Sequence, residues 1–177
     1  MRYLGIDPGL SGAWVLLESD GALVASDLVP QRAGRTGKSG VDLAALAQAI
    51  AQATKGGNVI ACLEQVGAMP GQGGTSMFTF GRTVGAWEGI VACMALRLVM
   101  VRPAAWSRLV SSAPIKDKAA RKAASASAAA AQWPTLPLAR KKDWARADAA
   151  WIAEYARQED VRVGRCAQSS EAVVSPA

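Results

Sequence analysis

The sequence predicts an α/β domain built on a five-stranded mixed sheet flanked by helices, in which a three-strand antiparallel meander is continued by parallel strands. Three observations lead there. The chain opens with apolar runs at Tyr3–Ile6, Ala13–Glu18 and Ala22–Val29, separated by Pro8-Gly9 and by Ser19-Asp20-Gly21. Turn formers between short apolar runs are hairpin signals. Helical patterns then alternate with near-continuous apolar runs, as expected of strands buried on both faces and joined by crossovers. Two of the strands also end in a carboxylate, Asp7 and Glu64.

An acid at the end of a buried strand is costly unless a cation meets it. A metal ion or a lysine is therefore the first partner to seek for Asp7, and an Asp-Pro-Gly turn bonding its own backbone is the alternative. The composition narrows the chemistry. The formal charge of +6 favours a polyanionic partner. There is no histidine, which excludes Ser-His-Asp and Cys-His catalysis, histidine-ligated zinc and any nuclease with a histidine base. For a hydrolase working near neutral pH, carboxylates holding hard metal ions remain. Cys62, Cys93 and Cys166 have no metal-ligand spacing and read as small core or tail residues. No apolar run reaches the ~18–20 residues of a membrane span, and no basic-then-apolar leader precedes the first strand. The expectation is a soluble, cytoplasmic protein with no membrane partner.

After the meander, residues 30–40 carry Arg32, Arg35 and Lys38 among glycines and read as a flexible basic loop, either solvated or contacting phosphate. Val41–Ala53 has an apolar stripe of Leu43, Leu46, Ala47 and Ile50 at helical spacing. Val59–Leu63 is the next strand. The glycine-rich segment Gly67–Ser76 follows Glu64 directly and suits substrate access. Ser76–Leu96 reads as a long helix with Met77, Phe80, Val84, Trp87, Val91 and Met94 facing inward. Gly81, Gly85 and Gly89 recur every fourth residue on another face. Glycine costs a helix ~1 kcal/mol relative to alanine, so the ridge implies close approach by another backbone, that of its own sheet or of a second copy. Leu96–Val101 is the fifth strand, and a short helical turn with Trp106 follows. Lys116–Ala131 is an alanine-rich helix with Lys118, Arg121 and Lys122 on one face, a solvated surface or a phosphate-facing one. The basic lead-in Arg140-Lys141-Lys142-Asp143 precedes a last helix, Ala145–Gln158, which carries Asp148 in its first turns. Residues 1–158 are thus the expected domain, and 159–177 a flexible tail.

This order, with acids on the first and fourth strands and on the last helix, resembles the ribonuclease-H-like superfamily. Gly5-Ile6-Asp7-Pro8-Gly9, Leu63-Glu64, Met77-Phe78-Thr79-Phe80-Gly81-Arg82, Lys116-Asp117-Lys118 and Lys142-Asp143-Trp144-Ala145-Arg146-Ala147-Asp148-Ala149 are similar to the RuvC family of Holliday-junction resolvases. Met69-Pro70-Gly71-Gln72-Gly73 looks most like its phage-type members. The resemblance covers residues 3–157. It implies a homodimeric endonuclease that nicks four-way or other branched DNA with two Mg²⁺ ions, Mn²⁺ substituting, and no nucleotide cofactor. Asp7, Glu64 and Asp148 match the metal-binding acids. The family's fourth acid sits three residues before the helix aspartate, where this chain has Ala145. Either Asp143 substitutes or three acids suffice. Lys118 matches the basic helix and would place positive charge near the scissile phosphate.

Further DNA contacts are expected from Arg82, Lys116, Arg121, Lys122, Lys141 and Lys142. Phe78 or Met69 would wedge into unstacked bases at the junction centre, or else serve as core and loop residues. Two rivals start from the same residues. An actin-like phosphotransferase shares the strand–Asp–Gly–turn but needs two such domains. A non-catalytic nucleic-acid-binding module would suit the charge, but would leave three acids in special places unexplained.

Overall fold

The computed structural model describes all residues except 34–38, 68–70, 72 and 172–177. Strands β1 (Arg2–Asp7), β2 (Ala13–Leu17) and β3 (Leu23–Leu28) form the antiparallel meander. Two further strands, β6 (Val59–Glu64) and β7 (Arg97–Val101), join it in parallel, giving the sheet order β3-β2-β1-β6-β7. This is the mixed five-stranded sheet that the sequence predicts.

Alternation along β1 and β2 sends side chains to two cores. Leu4, Ile6, Trp14 and Leu16 face helix α1 (Leu43–Thr54) and helix α2 (Gly74–Cys93), meeting Leu46, Ile50, Trp87 and Val91. Tyr3, Val15 and Leu17 face helices α4 (Lys118–Gln132) and α5 (Ala145–Glu171), in a core with Ala129, Trp133, Ala149, Ile152 and Ala153. Between β7 and α4 lies the one-turn helix α3 (Pro103–Trp106). Asp42 and Asp117 cap α1 and α4, accepting from the Ala45 and Ala120 amides at 3.1 and 2.6 Å.

Contact between α5 and β1 sets the position of the site. A Cβ at Gly5 would collide with Ala149 O and Ala153 N. The helix therefore lies directly on the strand, which the alanines of α5 and the bare glycine of β1 permit. Because the acid of α5 lies one residue before Ala149, this crossing carries it to the end of β1 where Asp7 stands.

Two expectations are corrected, and one alternative is removed. Residues 30–40 are not loop throughout: β4 (Gln31–Ala33) and β5 (Ser39–Val41) pair as an antiparallel ribbon. Its base is tied down by Asp42 N–H to Pro30 O (2.8 Å) and by Gln31 Nε2 to Leu10 O (2.9 Å). All three residues of β4 are exposed, so no apolar alternation marked the ribbon. The last helix does not end near Gln158 but runs to Glu171. The turn just beyond Gln158 carries polar contacts: Tyr3 Oη donates to Asp160 Oδ2 at 2.9 Å, and Arg162 pairs with Glu159. The glycine ridge of α2 does not pack on the chain's own sheet. Among the described residues nothing lies within 4 Å of a Cβ built on Gly81, Gly85 or Gly89, and the helix instead buries Thr83, Trp87 and Val91.

Candidate active site

The carboxylates of Asp7, Glu64 and Asp148 act on one another at the C-terminal mouth of the sheet. Asp7 and Glu64 end the adjacent parallel strands β1 and β6, and α5 supplies Asp148. Burial pushes the Asp7 carboxyl up to about 7, and the charges of Glu64 and then Asp148 add to the rise, while Lys122 and the Gly9 amide oppose it. Glu64 is raised as well, chiefly by burial, against the hydrogen bond from Trp106. Like charges gathered in a poorly solvated mouth are the cause in both cases.

The cation that answers them is Lys122. Its Nζ donates to Asp148 Oδ2 at 3.0 Å. Partial burial alone would lower its pKa, but Asp148, Asp7 and Glu64 outweigh that and raise it. The other Asp148 oxygen, Oδ1, accepts from Ser125 Oγ at 2.7 Å. Lys122 and Ser125 stand three residues apart on α4, so both face α5. Trp106, which is 7% exposed, donates its indole Nε1–H to Glu64 Oε1 at 2.8 Å. Val101 pairs with Glu64 in the sheet, and Pro103 at the first position of α3 turns the chain so that Trp106 comes back over it. The Gly9 amide reaches Asp7 Oδ1 at 3.4 Å. Gly12 closes the turn below, where a Cβ would meet Asp7 O and Gly9 O.

Asp143 lies outside this set. It is buried at the third position of the 3₁₀ turn Lys141–Trp144. Its carboxylate accepts from Arg140 N (3.1 Å), Arg140 Nε (2.8 Å), Arg140 Nη2 (2.9 Å) and Arg146 Nη1 (3.0 Å). These donors, the Arg140 side chain first, hold it down at about 2. Arg146 also reaches Asp27 Oδ1 on the edge strand β3 at 2.9 Å. A carboxylate with four donors on two oxygens has little left for another ligand, and Asp143 is not among the groups that chiefly shift Asp7 or Glu64.

Among the described residues no group of three or more His, Cys, Asp or Glu side chains is arranged to hold a metal ion as it stands. Lys122 provides the positive charge instead. The donor set nevertheless fits a hard divalent cation: all ligand atoms are carboxylate oxygens, and burial with mutual repulsion makes the charged forms of Asp7 and Glu64 costly without one. No donor among the described residues reaches Asp7 Oδ2 or Glu64 Oε2.

The other predicted residues that the structure describes lie on the surface of the fold. Lys118, Lys116, Arg121, Lys141, Lys142 and Arg82 are exposed. Of the three cations on the α4 face, Lys122 and not Lys118 meets the acids, and Arg121 acts on Glu64 through its charge. Phe78 is 68% exposed, with the Arg82 guanidinium 5.8 Å from its ring centroid, so it is not a core residue. Met69 lies outside the described residues. Reasoning from sequence missed Trp106 and Ser125. A serine inside the alanine run of α4 was the one visible sign of the latter.

No protein-family model matches this chain, and no curated protein matches it. Its fold is that of solved RuvC structures. Thermus thermophilus RuvC in complex with a Holliday junction substrate superposes with a TM-score of 0.62 at 15% identity, over 91% of this chain and 96% of that one. A second T. thermophilus RuvC structure gives 0.56 at 16% identity, over 93% and 97%. No described helix is long and apolar enough to cross a membrane.

Proposed function

We propose that this protein is a divalent-metal-dependent endonuclease that nicks four-way or other branched DNA. The observation that carries the reading is the mutual placement of Asp7, Glu64 and Asp148 at the sheet mouth, under-neutralised and with two carboxylate oxygens open. Its fold likeness to a RuvC bound to a Holliday junction substrate supports DNA as the partner, as does the formal charge of +6.

Asp7, Glu64 and Asp148 would hold the ions, Mg²⁺ or Mn²⁺. Bound there, a pair of divalent cations supplies an activated water and charge for the leaving oxygen. The chain's own part is to place the phosphate and balance charge. Lys122, which bonds Asp148 in the free protein, would add positive charge near the scissile phosphate. Lys116, Lys118, Arg121, Lys141 and Lys142 form the exposed basic rim that contacts backbone phosphates without reading sequence. Phe78, paired with Arg82 at the start of α2, offers an exposed ring for unstacked bases. Asp143 serves as a structural clamp, and three acids suffice.

Two cuts on two-fold related strands call for a symmetric dimer. The open ridge of Gly81, Gly85 and Gly89, with the exposed apolar side chains of Met77 on α2 and Leu98 and Met100 on the edge strand β7, is the surface offered for a second copy. The test of function is a labelled four-way junction, a matched duplex and a flap incubated with Mg²⁺, Mn²⁺ or EDTA. Paired nicks in the junction with either metal and none with EDTA are expected. Junction binding without any cleavage would favour a non-catalytic module. For assembly, Gly85→Leu should leave the circular dichroism spectrum intact and shift sedimentation from dimer to monomer.

A further inference from the structure

Two acids of the site, Glu64 and Asp148, are each held at one oxygen by a buried side-chain donor. Glu64 Oε1 is taken by Trp106 Nε1–H at 2.8 Å and Asp148 Oδ1 by Ser125 Oγ at 2.7 Å. Neither donor is a long, mobile side chain: Trp106 is 7% and Ser125 2% exposed. Ser125 is fixed further because its own carbonyl accepts from Trp151 Nε1 at 3.2 Å, which joins α4 to α5 three residues beyond Asp148. Lys122 differs, as its side chain is 41% exposed and its bond to Asp148 Oδ2 can be exchanged for another cation.

The chain's indoles are treated unequally: among the described residues Nε1 of Trp14 and Trp87 is buried without a partner. Trp133 and Trp151 are satisfied by the backbone carbonyls of Gly21 and Ser125. Among the described side chains only the Trp106 indole donates to a carboxylate.

Resting on the nuclease reading above, we propose that Trp106 and Ser125 are positioning residues for the metal site. Each pins one oxygen of its carboxylate, Glu64 and Asp148, and so fixes the rotamer that presents the other oxygen to the ion. Donors behind a ligand of this kind change metal affinity by roughly 10–100-fold when removed.

The test measures Mn²⁺ binding to the DNA-free protein by calorimetry, alongside melting temperature and metal-free junction binding. Trp106→Phe keeps the ring and loses the N–H; Ser125→Ala loses the hydroxyl. Both should weaken Mn²⁺ binding by about tenfold or more, raise the Mn²⁺ concentration needed for half-maximal nicking, and bind junctions as the wild type does. Trp133→Phe is the control: it loses an indole hydrogen bond in the same core, to Gly21, and should lower the melting temperature without changing Mn²⁺ affinity. If Trp106→Phe does not fold, Ser125→Ala carries the test. Wild-type Mn²⁺ affinity in both folded variants, or an equal loss in Trp133→Phe, overturns the assignment while leaving the nuclease reading intact. A wild-type protein that neither binds Mn²⁺ nor nicks a junction overturns both.

Discussion

Two regions of this molecule hold carboxylates against α5 or its first turn, and their charge balance is opposite. At the sheet mouth three acids share one lysine, and burial drives Asp7 up to about 7. At the lead-in to α5 one acid, Asp143, takes four hydrogen bonds from two arginines and is held at about 2. The first arrangement costs the fold something and leaves a demand for positive charge. The second is complete in itself. Proximity in sequence is a poor guide to which is which, since Asp143 and Asp148 are five residues apart.

The largest expected effects fall on catalysis at the mouth. Asp7→Asn, Glu64→Gln and Asp148→Asn should each reduce junction nicking at saturating Mg²⁺ by at least ~10³-fold, roughly the loss of about 4 kcal/mol of transition-state stabilisation. Junction affinity should be kept, because it comes from phosphate contacts elsewhere. Single-turnover rates and gel-shift affinities separate the two. Near-wild-type nicking by any one of the three removes that residue from the site.

Asp143→Asn should do the reverse. Two arginines lose their common carboxylate and Arg146 stays buried, so the melting temperature should drop well below that of Asp7→Asn. Residual folded protein should still nick junctions. A stable Asp143→Asn protein that is catalytically dead would make Asp143 the fourth metal-binding acid after all.

The same contrast predicts two pH dependences of opposite sign in metal-free protein. Asp7 titrates near 7 folded against 3.8 as its ordinary value. Between those values the folded state binds the extra proton, so stability falls as pH rises through the window, by roughly 2–4 kcal/mol, and the full cost stands above 7. Asp143, at about 2 against 3.8, contributes stability that is complete above 3.8 and lost as pH falls towards 2. Denaturant midpoints from pH 2 to 8 should therefore rise and then decline. Asp7→Asn should flatten the decline, and Mg²⁺ should oppose it. A decline unchanged in Asp7→Asn would assign it to another group.

What could be read in the sequence was whatever local pattern encodes: strand alternation, the crossover order, acids at strand ends, Asp148 on a helix. Gly5 and the alanines of α5 were visible, but their meaning lies in a contact between residues far apart in the chain. The ribbon of β4 and β5 and the turn of α5 just beyond Gln158 escaped because no apolar stripe marks them and the contacts seen there are polar. Trp106 escaped for a different reason: an apolar residue type gave no sign that its one polar atom would face Glu64. Lys118 and Lys122 are a turn apart on one face, and only the crossing of α4 over α5 decides which one meets an acid.

That pair provides the smallest expected effect and the finest division of the charge balance. Lys122 bonds to Asp148, so Lys122→Ala removes the one cation that, among the described residues, is hydrogen-bonded to any of the three carboxylates. The expected outcome is slower nicking at saturating enzyme together with lower metal-free stability. Lys118 is exposed at the first position of α4, and in the proposed nuclease its partner is a phosphate. Losing one phosphate contact should lower the slope of log affinity against log salt by about 0.7–0.9 and leave the saturated single-turnover rate unchanged. Salt titrations of junction binding resolve a change of that size when wild type and variant are measured in parallel. If Lys118→Ala slows the saturated rate as much as Lys122→Ala does, the mouth recruits a second cation when DNA is bound, and its imbalance in the free protein is met by two lysines instead of one.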